Sequence, residues 1–351
     1  MKNSLKIFII LILPLFIMSA YYETKQYPDV SLFSFDDFKE CIELKGDSVA
    51  FDDILLKPVK IHLIDSFLIT KNRNVEQIYH IFNMQSKKKV GECVTFGIGP
   101  NEMIDPTLIP SHDGNIWLLD RNRRVLYICD QSKFLCENRV EIERVISYKE
   151  FCNDIVPLSR GKFLASMHTF AHKRFFLFDA DGDTLFTKGD YLSLSNLNTD
   201  VEKIEGFVNN LGVNEEGTKV VVTYKRTDLI EFYDADMNLL KRLHGPDHFF
   251  PEVHQEGDRI RSNKGFERNG YLYPHTIGGY IYVLYSGKVF DPKDARHYLR
   301  NKILVFDWEG NPKKYYQLDT PIFDFVVDEK VGMIYGLTDN PESHIVQFRI
   351  K

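Results

Sequence analysis

The sequence predicts an all-β fold, a six-bladed β-propeller with four-stranded antiparallel blades, on three observations. A strand-like phrase ending in Asp or Asn recurs at Asn83, Asp130, Asp179, Asp234 and Asp307, at intervals of 47, 49, 55 and 73 residues. Repeats of about 40–50 residues with four strands each are typical of propeller blades. Phe and Tyr number 27 and 18, and such side chains suit a pleated sheet. The 351 residues also exceed the roughly 250–300 that one core without repeats organises.

The first element is a leader. Lys2 and Lys6 accompany the apolar run 7–18, and small residues follow, which is the layout of a secretory signal peptide. Met18 stands where a processing site prefers a small residue, so an uncleaved leader, the one route to the membrane, is the alternative. The first cysteine is Cys41, so lipid attachment at a processed cysteine is not expected.

The leader predicts an exported protein of the periplasm or cell envelope that is not a lipoprotein. The predicted units are a signal peptide at 1–20, a flexible lead-in at 21–30 and the propeller domain at 31–351. We expect the protein to be a monomer.

The ends of the chain are predicted to meet in one blade. The run 38–45 is strand-like and has no hairpin partner before it, while the last repeat supplies only three strands before Lys351. A propeller closes its ring by pairing strands from its two termini, which removes an exposed sheet edge. We therefore expect 38–45 to be the outer strand of the last blade.

Each repeat begins with an Asp or Asn just before its innermost strand. The six residues are Asp53, Asp105, Asp154, Asn210, Asn269 and Asp324. Innermost strands line the central channel, so these oxygen-bearing side chains could form a ring that binds a ligand or a Ca²⁺ ion, which takes 6–8 oxygen ligands. The alternative is structural, because Asp or Asn before a strand also accepts backbone N–H bonds.

The third repeat contains a hairpin at 175–186, with a two-residue turn predicted at Asp181-Gly182. Superposing the second repeat on it places Cys129 opposite Cys136. An exported protein could form a disulfide between them, whereas the alternative is two buried thiols.

Three insertions lengthen the later repeats, at 189–206, 245–264 and 287–301. Long loops on a rigid scaffold often carry function. The second insertion and its neighbours combine imidazole and carboxylate groups, at His244, Asp247, His248, Glu252, His254 and Asp258. Such groups could bind zinc, copper or nickel, but Pro246 and Pro251 disfavour a helix that would place them on one face, so a solvated loop is preferred. His168 and His172 repeat the spacing and receive the same interpretation.

The segment Phe96-Gly97-Ile98-Gly99-Pro100-Asn101-Glu102 and the following DGNIWLLDRNRRVLYICD resemble the TolB-like or NHL-like six-bladed propeller proteins of Bacteroidetes. The resemblance covers most of the chain beyond the leader and implies a six-bladed propeller in an exported protein. The glycines are expected to form a turn between blades, because no helix pattern or GK[ST] follows them as a phosphate loop requires.

Five tyrosines crowd one repeat, Tyr271, Tyr273, Tyr280, Tyr282 and Tyr285, with Tyr315 and Tyr316 nearby. One set could line a sugar- or peptide-binding face, but packing between blades is the simpler expectation.

The net charge of −6 and the absence of a basic block disfavour nucleic-acid binding. No GxSxG or HExxH motif occurs. We therefore expect a non-catalytic binding or scaffold protein that engages a small-molecule ligand or a protein partner at one propeller face. The alternative is a Ca²⁺-dependent, lactonase-like hydrolase, an analogy at the level of the fold.

Overall fold

The computed structural model describes residues 27, 29–53, 55–99, 102–110, 114–167, 173–262, 265–291 and 293–350. The predicted leader, Pro100, His168 and His172 lie outside these residues. Within them, no helix is long and apolar enough to cross a membrane.

The described strands build six blades around an axis, as predicted. Three strands precede the first blade: β1 (Val30–Leu32), β2 (Glu40–Leu44) and β3 (Gly46–Val49). Blade 1 is β4 (Pro58–Ile64), β5 (Phe67–Asn72), β6 (Gln77–Asn83) and β7 (Lys88–Thr95). Blade 2 is β8 (Thr107–Pro110), β9 (Asn115–Asp120), β10 (Val125–Asp130) and β11 (Ile142–Ser147). Blade 3 is β12 (Cys152–Leu158), β13 (Lys162–Met167), β14 (Phe175–Phe178) and β15 (Thr184–Lys188).

The second half of the chain continues the pattern. Blade 4 is β16 (Asn209–Val213), β17 (Lys219–Tyr224), β18 (Leu229–Asp234) and β19 (Leu239–His244). A separate hairpin follows, β20 (Val253–Glu256) and β21 (Arg259–Ser262). Blade 5 is β22 (Tyr271–Ile277), β23 (Tyr280–Tyr285), β24 (Arg300–Asp307) and β25 (Pro312–Ile322). Blade 6 is β26 (Asp324–Asp328), β27 (Met333–Thr338), β28 (His344–Arg349) and, from the start of the chain, β3.

The N-terminal strands are used differently from the prediction. Ring closure by the two termini is confirmed, but the closing strand is β3, whose Val49 pairs with Ile345 in the antiparallel sense. The run 38–45 instead forms β2, a fifth, parallel strand beside β25 of blade 5. Likewise β1 adds a parallel fifth strand to blade 4. The chain therefore covers the outer edges of two blades before it closes the ring, and covered edges do not pair with other chains.

The described end of the predicted lead-in contacts the blades. Tyr27 is buried, and its ring packs edge-on against Phe250 at 5.6 Å between centroids. Its hydroxyl donates to the carbonyl of Ser193, and Asp29 pairs with Arg242.

The repeated Asp closes the turn between the two outer strands. In blade 3, Asp179 Oδ1 accepts the backbone N–H groups of Asp181 and Asp183, both at 3.0 Å. The turn spans more than the predicted two residues, and Gly182 adopts a positive φ of 85° within it. Asp234 and Asp307 make the same pair of bonds in blades 4 and 5. The repeat is visible in the sequence because each copy needs a carboxylate here to satisfy turn amides.

Two short helices and two 3₁₀ turns complete the described elements. They are α1 (Gln131–Cys136), α2 (Asp200–Gly206) and the 3₁₀ turns Phe35–Asp37 and Ser159–Gly161. Asp130, the blade 2 copy of the repeated Asp, caps α1 through the N–H of Lys133 at 2.8 Å.

The predicted Cys129–Cys136 disulfide is wrong, because residues 131–136 form α1 instead of the second strand of a hairpin. Cys129 pairs with Ile142 across the blade, and both cysteines are free thiols. Cys129 is fully buried, which raises the pKa of its thiol to about 12, whereas Cys136 is exposed.

The core of the described residues consists of six apolar clusters, one between each pair of neighbouring blades. Tyr271 and Tyr285 are fully buried in the cluster between blades 4 and 5, and Tyr316 is fully buried between blades 5 and 6. Packing between blades is thus confirmed for these tyrosines, and the innermost strands are left to line the axis.

Candidate functional site

All six inner strands contribute to a cavity of about 240 Å³ on the propeller axis, here called the axial cavity. Its walls are mostly apolar, with members such as Ile61, Ile155 and Val326. The polar side chains in the wall are Lys60, His62, Thr107, Asp154, Tyr273, His275, Thr276 and Asp324. An apolar cavity with a few converging polar groups is the usual form of a small-molecule site.

Two of the predicted ring residues lie in the axial cavity, in blades that face each other across the axis. Asp154 of blade 3 accepts the N–H of Leu211 in blade 4 at 3.0 Å and the N–H of Ile155 at 3.0 Å. Asp324 of blade 6 accepts the N–H of Ile61 in blade 1 at 2.8 Å. Each carboxylate therefore fastens its inner strand to that of the next blade.

Burial disfavours the charge on these carboxylates. It raises the pKa of Asp324 to about 6 and also raises the pKa of Asp154, although the nearby Lys60 ammonium and the accepted N–H bonds oppose the shift. The backbone N–H groups compete with a shared ion for these carboxylate oxygens.

The other four predicted ring residues do not join them. Asp53 pairs with Lys89 of the outer strand β7 at 2.9 Å, five residues before β4 begins. Asn269 donates to the carbonyl of His297 at 3.3 Å in the loop before β22. Asp105 binds Lys71 and Arg121, where Arg121 Nη2 lies 3.1 Å from Oδ2.

Asn210, the last of the four, is buried on β16, and its Nδ2 has no hydrogen-bond partner among the described residues. It lies in register opposite Thr223, whose hydroxyl is also buried without a partner there.

The prediction of one oxygen ring around a cation is therefore wrong in its geometry. No group of three or more His, Cys, Asp or Glu side chains in the described part of the chain is arranged to hold a metal ion. The six residues do not hold equivalent positions, because Asp53 lies five residues before β4 whereas Asp154 lies within β12 and Asp324 begins β26.

Two histidines that the sequence did not single out line the axial cavity. His275 Nε2 accepts the N–H of Val327 in blade 6 at 3.3 Å, and burial lowers its pKa to about 4. Burial and the charges of Lys60 and Lys71 lower the pKa of His62. Both imidazoles are therefore neutral near pH 7. In the sequence, these two histidines could be found only from the alternation of side chains between the two faces of each inner strand.

Tyr273 also belongs to the axial cavity and is the one member of the tyrosine group that lines it in the described residues. Lys60 reaches across from blade 1, and its ammonium lies 3.8 Å above the centre of the Tyr273 ring. Lys225 of blade 4 lies 5.5 Å from the same centre. Both distances are within the range of a cation–π interaction.

The insertion at 245–264 is anchored as a structural loop. Its base is held by Asp228, which is fully buried and accepts the N–H groups of Asp247 and Phe249 at 2.8 and 3.0 Å. His244 Nε2 lies 2.9 Å from Asp228 Oδ1. His254 is exposed. His244 thus belongs to a buried anchor whereas His254 is exposed, and the anchoring carboxylate Asp228 is not part of the predicted motif.

The glycine segment forms a turn between blades 1 and 2, as predicted. Glu102 Oε2 accepts the N–H of Gly99 at 2.8 Å, and a Cβ atom at Gly97 would collide with the Glu102 side chain. Arg123 donates to the carbonyl of Ile98 at 3.0 Å. The motif therefore shapes a linker, with its glycine needed for close approach.

The blades, the closed ring and the axial cavity define a six-bladed propeller whose mostly apolar axis carries a few polar groups. A family model for TolB-like six-blade propeller proteins matches residues 37–330, and the chain belongs to this family. No curated protein matches the chain.

Solved structures show the same fold. A member of the DUF4221 family from Bacteroides vulgatus is 11% identical, with a TM-score of 0.54, over 88% of this chain and 96% of that one. A predicted exported protein from Bacteroides fragilis is 13% identical, with a TM-score of 0.54, over 92% and 99% of the two chains. At such low identity these likenesses concern the fold alone.

Proposed function

We propose that this protein is an exported, non-catalytic binding protein of the cell envelope that holds a small molecule in its axial cavity. The observation that carries the proposal is the cavity itself, since all six inner strands supply its wall and converging polar groups enter an otherwise apolar lining. Rigid strands position such a site more precisely than loops do. The cavity of about 240 Å³ suits a ligand of metabolite size.

The leader pattern and the fold likeness to an exported protein from Bacteroides fragilis support the cellular location. The hydrolase alternative has less support. Asp154 and Asp324, the carboxylates that a central metal would use, already accept backbone N–H groups from neighbouring blades.

The test is a thermal-shift screen of small metabolites, with Thr107→Trp as the variant that fills the cavity. Thr107 lines the cavity at the start of β8 and is only partly buried, so the larger side chain is tolerated at modest cost. Thr187→Trp, on the exposed face of outer strand β15, is the matched control.

Compounds that raise the melting temperature of the wild type and of Thr187→Trp should leave Thr107→Trp unchanged. Equal shifts in all three proteins would place binding elsewhere. A screen without a single stabilising compound would also count against the proposal.

A further inference from the structure

Two lysine ammonium groups face the Tyr273 ring, Lys60 from the wall of the axial cavity and Lys225 from blade 4 beside it. Neither Lys60 nor Lys225 has a carboxylate within ion-pair distance there, and neither ammonium donates a hydrogen bond to a described residue. Lysine ammonium groups have three donors, and a partly desolvated one without an acceptor is costly. A ligand that supplies acceptors would recover that cost.

The nearby carboxylates do not act as acceptors for the two ammonium groups. Both oxygens of Asp154 already accept a backbone N–H, and Asp324 accepts the N–H of Ile61. Lys60 lies close enough to influence the pKa of both carboxyls but does not touch either of them. Both oxygens of Asp154 and Oδ2 of Asp324 are therefore engaged, whereas the two ammonium groups have donors available for an anion.

A second, independent observation lies on blade 4. The Asn210 amide and the Thr223 hydroxyl are at most 3% exposed, and neither Asn210 Nδ2 nor Thr223 Oγ1 has a hydrogen-bond partner among the described residues. Buried polar groups are nearly always paired, so these two leave hydrogen-bonding capacity unused inside blade 4, next to the axis.

Asn210 and Thr223 lie in the same interface between blades 4 and 5 as Tyr273. A Cβ atom at Gly212, two residues after Asn210, would lie 3.0 Å from both Pro274 and Thr276, so this face of β16 packs against β22. Thr223 is two residues before Lys225 and therefore has the same orientation along the strand. The two ammonium groups thus meet at the face of Tyr273, and the orphaned polar groups lie behind it in the packing between blades 4 and 5.

We propose that the axial cavity binds a small oxyanion, a carboxylate or phosphate compound, whose acidic oxygens lie between Lys60 and Lys225 over the face of Tyr273. This inference rests on the proposed function, since it assigns the chemistry of the ligand for the same cavity. Charge-assisted hydrogen bonds to the two ammonium groups supply the affinity.

The experiment is calorimetric titration with succinate and with inorganic phosphate, which separate carboxylate from phosphate ligands. Succinamide, which matches succinate in shape and lacks its charge, is the third probe. Lys60→Met and Lys225→Met remove one ammonium each and keep the apolar stem, and Lys45→Met changes an exposed lysine on the outside of the propeller. Melting temperatures close to that of the wild type verify that the variants fold.

At least one of the two anions should bind the wild type and Lys45→Met equally. Each cavity variant should weaken that binding about ten- to hundredfold, the effect of one charge-assisted hydrogen bond. Added salt should weaken it as well, and succinamide should not bind. Anion binding that is unchanged in Lys60→Met and Lys225→Met would overturn the inference.

The inference and the proposed function fail in different ways. If uncharged compounds bind and Thr107→Trp abolishes their binding, while neither anion binds, the cavity is a binding site and the oxyanion inference is overturned. If neither anions nor uncharged compounds bind the wild type, both are overturned.

Discussion

Asp324 Oδ2 accepts a hydrogen bond from the backbone N–H of Ile61 at 2.8 Å, across the seam where the last blade meets the first. The outer side of the same seam is closed by β3, which pairs with β28. The ring is therefore joined at two radii, by a strand at the rim and by a single carboxylate at the axis. Because that carboxylate is buried, its protonation is coupled to stability.

We predict that Asp324 stabilises the folded protein more in mild acid than at neutral pH. The pKa of its carboxyl is raised from 3.8 to about 6 by burial, against the opposing charge of Lys60, so the folded state takes up a proton more readily than the unfolded chain. The stabilisation is complete below pH 3.8 and is lost as the pH rises through 6. Relative to Asp324→Asn, the wild type should lose on the order of 2–3 kcal/mol between pH 4 and 7.5.

Urea unfolding of both proteins across this pH range measures the effect. Asp47→Asn, an exposed change on the closing strand β3, is the control and should show no such pH-dependent difference. A difference between wild type and Asp324→Asn that stays constant with pH would contradict the prediction.

A second prediction concerns the buried ion network of blade 4. Burial opposes the charge of Glu231, but the guanidinium groups of Arg174 and Arg242 outweigh it and lower the pKa of Glu231 to about 2. Arg174 lies 2.7 Å from one carboxylate oxygen and Arg242 lies 2.5 Å from the other. Glu231→Gln should lower the free energy of unfolding by about 3–5 kcal/mol, because the buried Arg174 loses its counter-charge and Arg242 keeps its pair with Asp29 alone.

Denaturation midpoints at neutral pH provide the measurement. Glu309→Gln is the matched control, since Glu309 pairs with Lys219 on the surface with 65% of its side chain exposed. Exposed pairs contribute little, so this variant should remain close to the wild type. If the two variants prove equally stable, the Glu231 network does not contribute to stability as predicted.

The turn carboxylates provide a third prediction. Asp179→Ala removes the acceptor of two backbone N–H groups and should cost about 1 kcal/mol of stability. Asp181→Ala, in the same turn, removes a side chain that is 88% exposed and should have almost no effect. Thermal unfolding of the two variants compares them directly, and equal losses would refute the assigned role of Asp179.

The cysteines provide a fourth prediction. Without reductant, iodoacetamide should label Cys136 in the native protein, because this thiol is free and exposed. Cys129 is buried with a raised pKa, so it should react only after unfolding. Mass spectrometry of labelled peptides distinguishes the two sites. Labelling of either cysteine that requires prior reduction would indicate a disulfide and contradict the structure.

The architecture could be predicted from sequence because it depends on local, repeated chemistry. Each blade repeats its apolar strands and a turn that needs an acceptor at a set position, and Asp179, Asp234 and Asp307 mark that position in the chain. The repeat that departs from this pattern also uses its Asp as an acceptor of backbone N–H groups. Asp130 was recognised as a repeat, but it caps the helix α1 where a second hairpin strand was expected, because its carboxylate satisfies helix amides equally well.

Pairings between distant parts of the chain could not be predicted in the same way. Strand-like character in 38–45 indicated a strand but not its neighbour, and the edges of blades 5 and 6 both offered free hydrogen-bonding groups. The linker lengths and side-chain packing decided that β2 covers blade 5 and β3 closes blade 6.

Periodic patterns in the chain are enough to predict the class of fold, the number of blades and the closure of the ring by the termini, because such patterns reflect local geometry. Which polar groups meet at the axis depends on how the blades pack. The sequence predicts Asp154 and Asp324 there, but Asp53 and Asn269 lie elsewhere. Lys60, Tyr273 and Lys225 come from three blades, and no spacing along the chain records that they converge. The physical reason is that closing a ring brings together residues whose separation in sequence is set by the loops, not by the contacts they make.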